Sequence, residues 1–121
     1  MPAINHIEMS VSNLGRSAAF YGALFRELGW KELRPGMWIE DGCEVYLKET
    51  KAPGAPGAAF GPRHVAFRAP SREAVDRVAE AMRSMGATVI RGPQPMPEYS
   101  ATYYTFDFRD PDGFVLEVCH D

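Results

Sequence analysis

Cysteine is scarce in this chain: its 121 residues hold two, Cys43 and Cys119. They do not form a CxxC pair, which excludes both a disulfide framework and a cysteine-built structural zinc site. Long apolar runs are missing as well. No segment approaches the ~20 residues of a membrane span, and the stretch from Met1 to Ser10 has no basic head followed by an apolar core of the kind a secretion signal needs. Nor is there an excess of positive charge, since the formal net charge is -3 and the Lys and Arg residues are scattered, leaving no stripe for a phosphate backbone. These absences argue against membrane and nucleic-acid partners and lead us to expect a soluble, cytoplasmic protein. What is present is a hydrophobic share of 45% with 12% aromatics, enough for one domain to bury its own core.

The hydrophobic pattern is written twice. Ile4 to Val11 alternates, with Ile7, Met9 and Val11 on one face and His6, Glu8 and Ser10 on the other, as in a half-buried strand. Ser12-Asn13 offers an N-cap, and apolar residues recur at helical spacing from Leu14 to Leu28 until Gly29 stops the run. Trp30 to Leu33, Met37 to Glu40 and Glu44 to Lys48 read as three short strands, punctuated by Pro35-Gly36 and Asp41-Gly42. Lys51 to Gly61, rich in Ala, Pro and Gly, reads as a linker.

The pattern then restarts. His64 to Ala69 alternates like the first strand, Ser71 caps a helix carrying Val75, Val78, Met82 and Met85, and Gly86 ends it. Ala87 to Arg91 is the next strand and Gly92 to Ser100 a long loop. Tyr103 to Val118 closes as a hairpin about Asp110-Pro111-Asp112-Gly113, whose Pro and Gly suit the turn. The expected fold is therefore α+β, two tandem βαβββ modules (about 1–50 and about 62–121, joined by a linker at about 51–61) making a single domain.

Superposing the two units places His6 on His64 in the opening strands. Matching Asp41-Gly42 with Asp112-Gly113 places Tyr46 on Glu117 in the closing strands. Glu117 is a lone acid on an apolar strand, and an unpaired buried carboxylate is costly, so it should face water, a cation or a metal. If the two sheets face each other, His6, His64 and Glu117 converge as two imidazoles and one carboxylate. Such a set binds Fe(II), Mn(II) or a similar divalent ion and leaves coordination positions open; Zn(II) or Ni(II) is chemically feasible. Tyr46 is a poor ligand while protonated and reads as a hydrogen-bond donor or acid beside the site.

Each of these residues also has a plainer role. A single strand histidine is more often structural than a ligand, but a second one at the repeat-equivalent position has no packing reason. Glu117 alone could be a surface acid, and His120, on the opposite strand face, should be solvated. Glu8 and Glu44 share the faces of His6 and Tyr46, as general bases or as a polar rim. Arg68 could pair with a substrate anion or with Glu8. Tyr99 and Tyr103 flank the long loop and, with Trp38 and Met96, could line a small apolar pocket for an organic ligand.

The paired strand-helix-three-strand units, His6 in NHIEMSV, Asn13-Leu14 through Phe20-Tyr21, Leu28-Gly29-Trp30, His64 in RHVAFRAPS and FRDPDGFVLEV ending on Glu117 resemble the vicinal oxygen chelate superfamily. That group includes glyoxalase I, fosfomycin-resistance proteins, extradiol dioxygenases, methylmalonyl-CoA epimerase and bleomycin-resistance proteins. The resemblance implies an open barrel with a metal cleft, with His6, His64 and Glu117 as ligands and Tyr46 at the fourth position. Glyoxalase I has a carboxylate there, so three ligands with open positions look more like the dioxygenases and the fosfomycin-opening transferases. Tyr46, Tyr103 or Tyr104 would then serve as acid-base partner. The resemblance further implies a small-molecule substrate chelated through vicinal oxygens, and a homodimer in which His6 can share a metal with the partner's Glu117. A glyoxalase- or epimerase-like lyase with Glu44 or Glu8 as base, and a metal-free antibiotic-binding protein, are the alternative expectations.

Overall fold

The structure is a computed structural model and describes residues 3–51 and 64–121. Most of the expected linker, from residue 52 on, lies outside the described residues. The element order is β1 (His6–Val11), α1 (Leu14–Leu28), β2 (Lys31–Arg34), β3 (Met37–Glu40), β4 (Cys43–Glu49), β5 (His64–Arg68), α2 (Arg72–Ser84), β6 (Thr88–Pro95), β7 (Tyr104–Arg109) and β8 (Val115–His120).

Local chemistry sets these boundaries. Asn13 caps α1 by accepting from the Arg16 N–H, and Gly29 ends it at φ 82°, a left-handed conformation in which a side chain would be strained. Ser71 caps α2 in the same way through the Ala74 N–H. Asp41 and Gly42, both at positive φ, form the two-residue turn of the β3–β4 hairpin.

Two four-stranded sheets result, ordered β1-β4-β3-β2 and β5-β8-β7-β6. In each, the opening strand runs parallel to the closing strand and the rest is antiparallel. The registers reproduce the repeat: the residue two beyond each histidine, Glu8 or Ala66, stands opposite Tyr46 or Glu117. The ladders are therefore equivalent under the superposition of one module on the other, and the α+β pair of βαβββ modules stands.

One face of each sheet packs on its helix, and the two helices pack on each other. Phe25 is fully buried at the junction, 4.6 Å from the Trp30 ring, 5.0 Å from Trp38 and edge-on to Phe67 at 5.2 Å. Burying one such ring contributes about 1.5–3 kcal/mol. A polar joint accompanies this apolar one. Tyr21, fully buried on α1, donates its hydroxyl to Asp110 Oδ2 at 2.7 Å. Asp110 Oδ1 accepts the Asp112 and Phe114 N–H groups at 2.9 and 2.8 Å. Asp112 in turn accepts the Ser12 hydroxyl, the Ser12 N–H and the Arg16 guanidinium. The hairpin turn of the second module is thereby fastened to the first helix.

β6 departs from expectation by running on to Pro95, through residues read as loop. It is an edge strand with two register shifts against β7, and prolines are tolerated on an edge that has no outer neighbour to bond. Gly92, at φ 84°, allows one of the irregularities. Cys43 and Cys119 are free thiols, as their spacing led us to expect.

Candidate functional site

The sheet faces turned away from the helices carry the candidate residues. On β1, Met9 and Val11 point to the core while His6, Glu8 and Ser10 are exposed; on β5, Phe67 is buried while His64, Ala66 and Arg68 are exposed. The same period of two lays Glu117, between core residues Leu116 and Val118, on the outer face of β8.

The second module forms a defined cluster there. Glu117 is only 5% exposed, so it does not face bulk water. Its Oε1 lies 3.7 Å from His64 Nε2, and its Oε2 accepts the Tyr103 hydroxyl at 2.5 Å. Burial, followed by hydrogen bonding to Cys119 and Glu117, pushes the Tyr103 phenol well above its ordinary pKa, which holds it as a donor. The Cys119 thiol is likewise pushed up by burial, so it is not a thiolate nucleophile at neutral pH.

Directly across the ladder from Glu117 stands a second carboxylate, Asp107, which the sequence reading missed. Like charges opposite each other on a sheet repel. Asp107 is compensated by Arg91, whose Nε and a terminal nitrogen reach its Oδ2 at 3.1 and 2.8 Å, and by the Thr105 hydroxyl at 3.0 Å. Glu117 has no such cation among the described residues: its one ion-pair partner is His64. The signal for Asp107 was available, since alternation with Phe106 and Phe108 puts it on the open face of the hairpin.

The first module supplies a different cluster. The His6 ring lies 5.8 Å from the Tyr46 ring, and His6 Nδ1 is 2.8 Å from Asn5 Oδ1. Glu8 stands opposite Tyr46, and Glu44 opposite His6. The Tyr46 phenol is pushed up by burial and then by the neighbouring Glu8 carboxylate. The carboxylate beside the phenol here belongs to the opening strand, whereas in the second module it belongs to the closing strand.

The structure thus joins His64, Glu117 and Tyr103 in one place and His6, Tyr46, Glu8 and Glu44 in another. Among the described residues of a single chain no three His, Cys, Asp or Glu side chains form a group that could hold a metal ion. The repeat leaves the convergence of His6 with His64 and Glu117 to one chain or to two; among the described residues of one chain His6 does not join them in such a group, and there the two sheets share no paired strands while the modules meet through their helices. The donor types nevertheless fit a divalent ion. Ligand bonds of about 2.0–2.2 Å let two donor atoms 3.7 Å apart, as His64 Nε2 and Glu117 Oε1 are, hold the same cation.

Other expectations need correction. Trp38 is 1% exposed and packs on Tyr21 and Phe25, on the helix side of β3, so it does not join Tyr99 and Tyr103 in an aromatic lining. Met96 is buried beside Gln94, leaving Tyr99, 60% exposed and edge-on to Tyr103 at 5.4 Å, as the aromatic rim. Tyr104 donates to Asp76 of α2 at 2.7 Å, away from Glu117. His120 is not simply solvated, since its Nδ1 meets the Ala69 carbonyl at 3.0 Å. Arg68 forms no ion pair with Glu8 among the described residues. No described helix is long and apolar enough to cross a membrane.

Comparison with known proteins agrees with this architecture. The uncharacterized protein YqjT of Bacillus subtilis is 30% identical over 124 residues, covering 95% of this chain and 96% of its own length. A glyoxalase/bleomycin resistance protein from Albidiferax ferrireducens superposes with a TM-score of 0.80 at 22% identity, over 99% of both chains. The genomically encoded fosfomycin resistance protein FosX from Listeria monocytogenes superposes with a TM-score of 0.72 at 17% identity, over 100% of this chain and 92% of that one. At such identities the two structures speak for the fold alone. A family model described as the glyoxalase/bleomycin resistance protein/dioxygenase superfamily matches residues 3–118, nearly the whole sequence, and the chain belongs to that superfamily.

Proposed function

We propose that this chain is a divalent-metal-dependent enzyme acting on a small molecule that chelates through vicinal oxygens, with a dioxygenase-like reaction as the first candidate. The observation that carries the reading is Glu117: a carboxylate 5% exposed, fixed by Tyr103 on one oxygen and facing an imidazole with the other. Burying such a charge with no Lys or Arg paired to it among the described residues is costly, and a cation held between Glu117 and His64 relieves that cost.

In this reading His64 and Glu117 hold Fe(II) or Mn(II), with Ni(II) and Zn(II) as alternatives, and the third ligand is His6 of a second copy. Exposure of His6 on the open face of β1 and the incomplete donor set of a single chain support such a homodimer. The bound ion would supply Lewis-acid polarisation of the paired substrate oxygens and, if redox-active, reactivity toward O2. Tyr46 keeps its proton at neutral pH beside Glu8, so this pair can donate or accept a proton at the edge of the site. A lyase or isomerase reaction is the second reading, favoured by the Glu8 carboxylate, which is exposed on the same face of β1 as His6 and can act there as base. An oxygenase consumes O2, whereas a lyase runs anaerobically with a redox-inert ion.

The test is elemental analysis of protein purified without chelators or an affinity metal, for the natural chain and Glu117→Ala. Near-stoichiometric iron or manganese, lost in the variant, is expected. No metal in either, with no uptake of added Fe(II), Mn(II), Ni(II) or Zn(II), would leave a small-molecule-binding protein instead.

A further inference from the structure

We infer that Tyr103 is a positioning residue that makes Glu117 a one-oxygen ligand and so sets which cation the site accepts. The inference rests on the metal-site reading above and adds a role that neither the repeat nor the ligand set contains. Tyr103 has no counterpart in the first module, where the phenol of Tyr46 occupies the closing-strand position itself.

The geometry is specific. A free carboxylate offers two oxygens and can clasp a cation with both, the mode favoured by large oxygen-seeking ions such as Ca(II). Here Oε2 is taken by the Tyr103 hydroxyl at 2.5 Å, while Oε1 points to His64 Nε2 at 3.7 Å. The Tyr103 ring also meets Tyr99 edge-on at 5.4 Å, and swinging the phenol away would break both this contact and the bond to Oε2. The carboxylate cannot rotate to present both oxygens without breaking a charge-assisted hydrogen bond in a buried place. Asp107, the other acid on this floor, is held by Arg91 and Thr105 and cannot substitute. Oε1 is the oxygen that carries no hydrogen bond among the described residues and faces His64, an arrangement that suits an ion held by imidazoles and a single carboxylate oxygen and disfavours Ca(II). A hydrogen bond of this kind to a ligand's second oxygen is worth about 10–100-fold in metal affinity.

Tyr104 provides a matched control: it is the next residue, and its hydroxyl bonds Asp76 on the opposite side of the sheet at 2.7 Å. Mn(II) and Ca(II) affinities are measured by calorimetric titration of the natural chain, Tyr103→Phe and Tyr104→Phe. Tyr103→Phe should bind Mn(II) about 10–100-fold more weakly, with a smaller ratio of Mn(II) to Ca(II) affinity, while Tyr104→Phe follows the natural chain. Mn(II) binding by Tyr103→Phe equal to that of the natural chain, or an unchanged ratio, overturns the role of Tyr103 and leaves the metal site standing. Failure of the natural chain to bind Mn(II) overturns both. Should Tyr103→Phe not fold, Cζ-labelled tyrosine NMR of the natural chain with Zn(II) decides. The Tyr103 signal must move on metal addition while that of Tyr104 stays, and a static Tyr103 signal overturns the inference.

Discussion

Removing one oxygen atom from Tyr21 tests how the two halves are joined. In Tyr21→Phe the ring stays in the core and only the hydroxyl that reaches Asp110 Oδ2 at 2.7 Å is lost. Asp110 is 5% exposed, so water cannot fully replace the donor, and its two remaining bonds, from the Asp112 and Phe114 N–H groups, both fall on Oδ1. A hydrogen bond to a charged group is worth about 1.5–3 kcal/mol. For a chain of this size each kcal/mol moves Tm by roughly 3–5 °C, so a drop of about 8 °C is expected at pH 7.

The loss should depend on pH with a definite sign. Burial raises the Asp110 pKa above its ordinary value, while the bond from Tyr21 pulls it back down. Since the folded pKa lies above the unfolded one, the folded chain holds more protons between the two values, and stability falls as pH rises through that window. Deleting the hydroxyl raises the folded pKa further. Its penalty is full above the folded pKa, where Asp110 is ionised, and fades as pH falls through that value. Urea titrations followed by fluorescence, for the natural chain and the variant at pH 7 and at about pH 4, give the two differences. A penalty below about 0.5 kcal/mol at pH 7, or one equal at both pH values, would refute the assignment of an ionised, hydrogen-bonded Asp110 at this joint.

Two further substitutions probe the second sheet. Arg91→Met strips both guanidinium donors from Asp107 and leaves that buried acid opposite Glu117. A loss of about 2 kcal/mol is expected in the unfolding free energy from urea titration, with partial recovery when Asp107→Asn is added. Gly92→Ala would put a Cβ 2.3 Å from the Thr105 carbonyl oxygen at a residue whose φ is 84°. The cost should be at least ~2 kcal/mol, and a variant of natural stability would show that the β6–β7 approach is looser than described.

Much of this architecture could be read from the chain because it depends on neighbours. Asn13, Gly29 and Ser71 mark helix ends through bonds within a few residues, and alternation along β1, β5 and β8 assigns faces directly. The repeat carried the alignment of one module on the other, which the ladders reproduce. The reading failed where the answer depends on distant partners. Trp38 looked like a pocket aromatic, but the cross-strand partner Val45 turns it to the helix side. The prolines of β6 looked like loop because nothing local says that a strand lies on an edge. Tyr103 and Tyr104 were indistinguishable until one was seen to bond Glu117 and the other Asp76. The placement of His6 depends on how the modules dock, which rests on contacts such as Tyr21 with Asp110 and Ser12 with Asp112 that join opposite ends of the chain.

Those same contacts break the symmetry of the duplication. The turn at Asp41-Gly42 closes its hairpin with both residues exposed, whereas its counterpart at Asp110–Gly113 closes a hairpin and also grips the helix of the other half. The second turn therefore cannot drift as a free surface loop can: a substitution that would merely reshape one hairpin in the first half would, in the second, also loosen the grip of one half on the other. Two halves that began alike are held to different tolerances, and the stricter one falls at a turn rather than in the core.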